Sequence, residues 1–126
     1  MESKFDCLIK DLIILSSEKE DQINLIGNGN VGTEMLINFG LSTHNLVELT
    51  KQKYIDEAQK SKLEQFNSDL IDNVNLDDNL DSEEWKKTRE SAIEILKILS
   101  ANNYKVELDK SGKYWEAKLI KFTAFT

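Results

Sequence analysis

Residues Ile26-Gly27-Asn28-Gly29-Asn30-Val31-Gly32, the stretch IGNGNVG, decide how this chain is folded. They spell G-x-G-x-x-G. In a dinucleotide-binding domain that pattern follows a strand, opens a helix and precedes an acidic residue about 20 positions on. Here Ser17 to Gln22 upstream reads as a helix start, and only Ile23 to Ile26 could form a strand. Glu48 could be assigned the acidic role, but Gly40 stops the following helix early and no second β-α-β pattern appears. The expectation is therefore a helix–loop–helix connection with no cofactor. Gly27 and Gly40 should end helices in a left-handed conformation, and Gly29 and Gly32 should turn the chain without a Cβ clash. A small-ligand-binding or enzymatic domain built on the Gly27 to Gly32 loop is the alternative.

Upstream of the loop, Phe5, Leu8, Ile9, Leu12 and Ile13 fall at i, i+3, i+4, i+7 and i+8. That spacing predicts one amphipathic helix over 4–16. Ser17 and Glu20 have capping-box spacing for a second helix, with Ile23 and Ile26 inward. Downstream, Met35, Leu36 and Phe39 line a short third helix over 31–39. Ser42 should cap a long fourth helix over about 43–66 or further, with Leu46, Leu49, Tyr54, Ala58, Leu63 and Phe66 buried. Its pattern falters between Gln52 and Glu57, where a kink or an exposed stretch is expected. Asp81 with Glu84 should open a fifth helix through about Ser100, ended by Asn102-Asn103, with Trp85, Ala92, Leu96 and Leu99 as its stripe and Ile93 beside it.

The period then changes to two. In YKVEL and YWEAKLIKF, apolar and charged residues alternate around Asp109-Lys110-Ser111-Gly112, a turn signature. A hairpin should place Val106 and Leu108 against Trp115, Ala117 and Leu119. The fold class expected is α+β and mostly helical: about five helices with a C-terminal antiparallel β-hairpin, in one domain over 1–126.

The chain has 126 residues, 40% of them apolar, which supports a single core. Its net charge of −7 disfavours nucleic acid and anionic membrane surfaces and suits a basic partner. One cysteine, Cys7, excludes an internal disulfide. A buried, inert thiol is expected there. With no signal-peptide pattern and no long apolar run, a cytoplasmic protein is expected.

The chemistry-bearing residues are sparse. His44 is the only histidine, with Glu48 four residues on, and no nucleophile reads as their partner. Between Glu64 and Glu84 there are eight acids and no base. Asn73, Asn75, Asp77, Asp81 and Glu84 approximate a calcium loop. Asp78 stands where that loop needs glycine, and capping explains Asp81 and Glu84 equally well. No catalytic set and no metal is expected. A binding role fits better, carried by Asp69, Asp72, Asp77, Asp78 and Asp81. Tyr114 joins them, because alternation sets it opposite Trp115 on the hairpin.

Gly29-Asn30-Val31-Gly32-Thr33, leading into Glu34, Met35 and Leu36, resembles a pattern in small bacterial immunity proteins of the MafI type. In that family a helix ends in G-E-x-G-x-x-x-E-x-L. Asn30 departs from the family's acid, the Glu–Leu pair is shifted, and the family pattern has no counterpart of the hairpin. The resemblance implies an all-helical toxin-binding protein. The sequence thus points to a non-catalytic protein-binding protein. Its sharper form is an immunity protein that covers the basic active site of a toxin. A structural component of a larger bacterial or phage assembly is a further alternative.

Overall fold

A computed structural model describes residues 3–27, 29–74, 79–101, 104–111 and 116–121. Six helices precede a two-stranded antiparallel sheet: α1 Lys4–Ser16, α2 Lys19–Ile26, α3 Val31–Thr43, α4 Leu46–Lys51, α5 Glu57–Val74, α6 Glu83–Ile98, β1 Tyr104–Asp109 and β2 Glu116–Lys121. The mostly helical α+β fold holds.

Four helices form a ring in which α1 packs on α3, α3 on α5, α5 on α6 and α6 back on α1. The ring encloses Leu8, Leu12, Leu15, Met35, Phe39, Leu63, Phe66, Leu70, Trp85 and Ala92. Phe39 meets Phe66 edge to face, with ring centroids 5.2 Å apart. The hairpin leans on α1 and α2. Val106 pairs with Leu119 and Leu108 with Ala117, as the alternation requires. Val106 and Ala117 pack against the core. Trp115 lies outside the described residues.

The helix count differs from expectation because the long fourth helix is two. α4 ends in a Schellman motif: Tyr54 N–H donates to the Leu49 carbonyl (3.0 Å) and Lys53 N–H to that of Thr50 (3.1 Å). Lys53 takes the left-handed place at φ +66°. Ile55 is then buried, while Tyr54 and Ala58 are exposed. Asp56 restarts the chain as α5 through a capping box. Its carboxylate accepts from Gln59 N–H at 2.8 Å, and its own N–H donates to Gln59 Oε1 at 2.9 Å. α6 ends in the same way, with Ser100 at φ +56° and Ala101 N–H on the Leu96 carbonyl. It therefore stops before Asn102 and Asn103, which lie outside the described residues.

Other boundaries shift by a few residues. Gly40 is inside α3, not at its end, because Ser42 and Thr43 carry the helix on. The Ser42 hydroxyl bonds Asp11 of α1, and Thr43 Oγ1 donates to the Gly40 carbonyl at 2.7 Å. Ser17 closes α1, its hydroxyl on the Ile13 carbonyl, and does not cap α2. Ser82, one residue after Asp81, caps α6 by accepting from Trp85 N–H. On α2, Gln22 is buried while Ile23 is exposed. Ile93 of α6 also faces solvent.

Candidate functional site

The glycine loop joins two helices. α2 leads to Gly27, which adopts φ +97°, ψ −154°, a region closed to residues with a Cβ. Gly29 follows at φ +104°, and Val31 opens α3 with Gly32 buried in its first turn. No strand precedes the loop among the described residues, so the β-turn-α setting of the dinucleotide pattern is absent there. The helix–loop–helix reading of IGNGNVG holds.

The acidic segment divides in two. Its first half lies on α5, where helical pitch aligns Glu64, Ser68 and Asp72 with the earlier Glu57 and Ser61 along the outer side, all exposed. Ile71 sits among them with 44% of its surface open to solvent. Lys60 pairs with Glu64 at 3.2 Å, and beyond Glu64 the helix has no base. Asp69 lies on the flank of this stripe and accepts from Gln65 Nε2 at 2.9 Å. Asp69 and Asp72 thus share one end of one helix.

Asp81 belongs to the second half and turns the other way. Its carboxylate holds the Lys19 ammonium of α2 at 2.7 Å. The hydrogen bond from Lys19 draws the Asp81 pKa below the usual carboxylate value. Asp77, Asp78 and Tyr114 lie outside the described residues, as do Asn75 of the calcium-like pattern and Trp115. Among the described residues no three histidine, cysteine or carboxylate side chains converge as a metal site would require. Glu48 bonds Lys4 and Gln52, not His44, which is exposed. Cys7 is half-buried on α1.

The Lys19–Asp81 bridge lies beside a buried polar seam that the sequence does not advertise. Gln22 is 0% exposed. Its Nε2 donates to the carbonyls of Ile14 (3.0 Å), which also accepts from Ser17 N–H, and Leu15 (3.1 Å) in the last turn of α1. Its Oε1 accepts from Arg89 of α6 at 3.1 Å. The same Arg89 nitrogen donates to the Leu80 carbonyl. Gln22 and Arg89 therefore fasten α1, α2, α6 and the strand of chain before α6 to one another. Their only sequence signal is a polar residue where α2 turns inward, which the two neighbouring isoleucines mask.

This fastening brings the glycine loop alongside the end of the acidic segment. Lys19, Ile23, Gly27, Gly29, Val31, Asn79 and Leu80 line a groove of about 350 Å³. No family model, characterised protein or solved structure matches the chain. What the site can do is therefore argued from its own chemistry. The chain offers exposed carboxylates on α5 and, apart from them, a groove at the glycine loop that Lys19 lines while bridged to Asp81.

No described helix is long and apolar enough to cross a membrane.

Proposed function

We propose that this chain is a non-catalytic protein-binding protein that takes a basic protein partner on the acidic outer side of α5. Its sharper form is an immunity protein that inhibits a bacterial toxin, with the carboxylates covering the toxin's cationic active site. The observation that carries this reading is the end of α5: Glu64, Asp69 and Asp72 are exposed around a solvent-facing Ile71, with no base beyond Glu64. Fixed carboxylates facing a basic surface speed encounter and set orientation, and an aliphatic anchor among them supplies contact area. The resemblance of Gly29 to Leu36 to MafI-type immunity proteins supports the same reading. The test is affinity capture from the native host, followed by association rates for the captured protein as a function of salt. A basic partner whose rate falls with salt is the expected result. A captured partner whose rate is indifferent to salt would remove the acidic surface from the reading.

Exposed apolar side chains on α3 and α4 favour a second reading, a subunit of a larger assembly. Ile37 and Leu41 of α3 and Val47 of α4 are all at least half exposed. Sedimentation of the purified chain separates the two, since an assembly subunit self-associates or co-sediments with fixed stoichiometry.

A further inference from the structure

Ile37 and Leu41 of α3 are 50% and 59% exposed. Among the described residues they are the only two exposed large apolar side chains one helical turn apart, so they form a ridge where the others stand singly. Helical pitch extends the ridge to Glu34 at one end and His44 at the other, both exposed. His44 N–H donates to the Leu41 carbonyl at 3.2 Å, a 3₁₀-type bond that sets His44 over Leu41. The positions 34, 37, 41 and 44 alternate in threes and fours, the spacing of a coiled-coil seam. Met35 and Phe39, on the opposite side of α3, are buried in the ring core, so the ridge faces away from it.

The two ends of the ridge are not used within the chain. Neither the Glu34 carboxylate nor the His44 imidazole has a hydrogen-bond or ion-pair partner among the described residues. An acceptor and a donor thus flank the apolar pair, one at each end.

We infer that this ridge is a self-association surface, and that its partner is α3 of a second copy packed antiparallel about a twofold axis at the level of Phe39. That level is midway between Ile37 and Leu41 and also midway between Glu34 and His44. One twofold operation therefore sets Ile37 of each copy against Leu41 of the other and Glu34 against His44. An imidazole donates an N–H to a carboxylate in either protonation state. A parallel pairing would set Glu34 against Glu34, so the polar ends select the antiparallel one. The inference rests on the assembly-subunit reading and gives it a partner and a register. The ridge is about 15 Å long, too short for a permanent dimer, so the pairing is reversible and depends on concentration.

Sedimentation velocity of the purified chain, in a series up to about 1 mM, should show its mass rise from monomer toward dimer. Ile37→Asp and Leu41→Asp should each lower the association constant about tenfold or more. Ile71→Asp on α5 adds the same charge and should not, and melting curves check that every variant is folded. Glu34→Lys and His44→Glu should each weaken the pairing about threefold, and the two together should restore it to within about twofold of the parent chain. Disulfide trapping in a Cys7→Ser background reads the orientation. A mixture of Ile37→Cys and Leu41→Cys chains should crosslink more than either chain does alone. A monomer at every concentration, Asp substitutions no worse than Ile71→Asp, a charge exchange that fails to restore pairing, or equal crosslinking of the single chains would each overturn the inference. The assembly-subunit reading survives that failure if a host protein co-sediments at fixed stoichiometry, and falls with it if none does.

Discussion

The seam between α1, α2 and α6 and the outer side of α5 are both rich in polar side chains, and they direct them oppositely. In the seam, Gln22 and Arg89 turn inward, where the amide and one guanidinium nitrogen bond each other and the carbonyls of Ile14, Leu15 and Leu80. On α5, Glu64, Asp69 and Asp72 turn outward and meet water, one lysine and one glutamine. A buried polar group must be bonded or it destabilises the fold, whereas an exposed one is free to serve a partner. The difference teaches that polar content alone does not locate function in this chain. Where each group finds its hydrogen bonds does.

The largest expected effect is in the seam. Gln22→Ala removes the side-chain donor to the Leu15 carbonyl and the buried acceptor of the Arg89 guanidinium, and should lower stability by about 3 kcal/mol. Urea unfolding measures this. A loss below the uncertainty of that method would mean the seam is not closed as described, and the contrast with α5 would fail.

Next come the two glycines, which sharpen the comparison at the backbone level. Gly27→Ala forces a Cβ into a positive-φ conformation and should cost about 1 kcal/mol. Gly40→Ala should do the reverse and stabilise α3 by about 0.5–1 kcal/mol, since its Cβ would enter open space within a helix. Opposite shifts in Tm are the signature, and shifts of the same sign would contradict these backbone assignments.

On α5, replacing Asp69 and Asp72 by Asn should change stability by no more than about 0.5 kcal/mol. The same double variant should slow association with the captured partner, and the slowing should shrink as salt rises. A large stability loss would place these carboxylates with the seam.

The smallest effect is local to the hairpin. Asp109 accepts from the Ser111 hydroxyl (2.6 Å) and N–H (2.9 Å) and from Lys118 (2.9 Å), and these bonds hold its carboxyl well below the usual range. Because the folded-state pKa is depressed, the stabilisation is present above the unfolded carboxylate value of about 3.9 and is lost as pH falls toward the folded one. Lys118 is shifted the other way, upward, by the same Asp109 contact. Amide shifts of 104–111 and 116–121 should therefore report loosening only in strong acid. Asp109→Asn should remove that pH dependence.

Elements whose own pattern repeats were legible in the sequence. α1 shows five apolar residues at helical spacing, and the strands show strict alternation matched by turn chemistry, so both were placed correctly. The glycine loop was legible because its flanks were helical. What failed depended on tertiary contact. Gly40 reads as a stop, but the Asp11–Ser42 bond carries α3 past it. Lys53 and Ser100 end helices in the conformation that usually marks glycine, and neither residue type announces it. Gln22 has no pattern at all, since a buried amide is recognisable only once its acceptors are in place. Of the acidic residues singled out, Asp69 and Asp72 were found together on α5. Asp81 was read as a cap when its neighbour Ser82 does that work, and its bond to Lys19 spans sixty-two positions.

The place of α1 in the ring has a consequence for synthesis. It touches α2, α3, α6 and both strands, and its most extensive packing is against α6, the latest of the described helices in chain order. Leu8, Leu12 and Leu15 therefore emerge from the ribosome long before the surface that covers them. We expect the nascent chain to stay loosely collapsed, and open to chaperones, until α6 has cleared the exit tunnel. Arrest-peptide force profiles along the chain should show their main pulling event only after α6 emerges, and a strong event soon after α3 would refute this order.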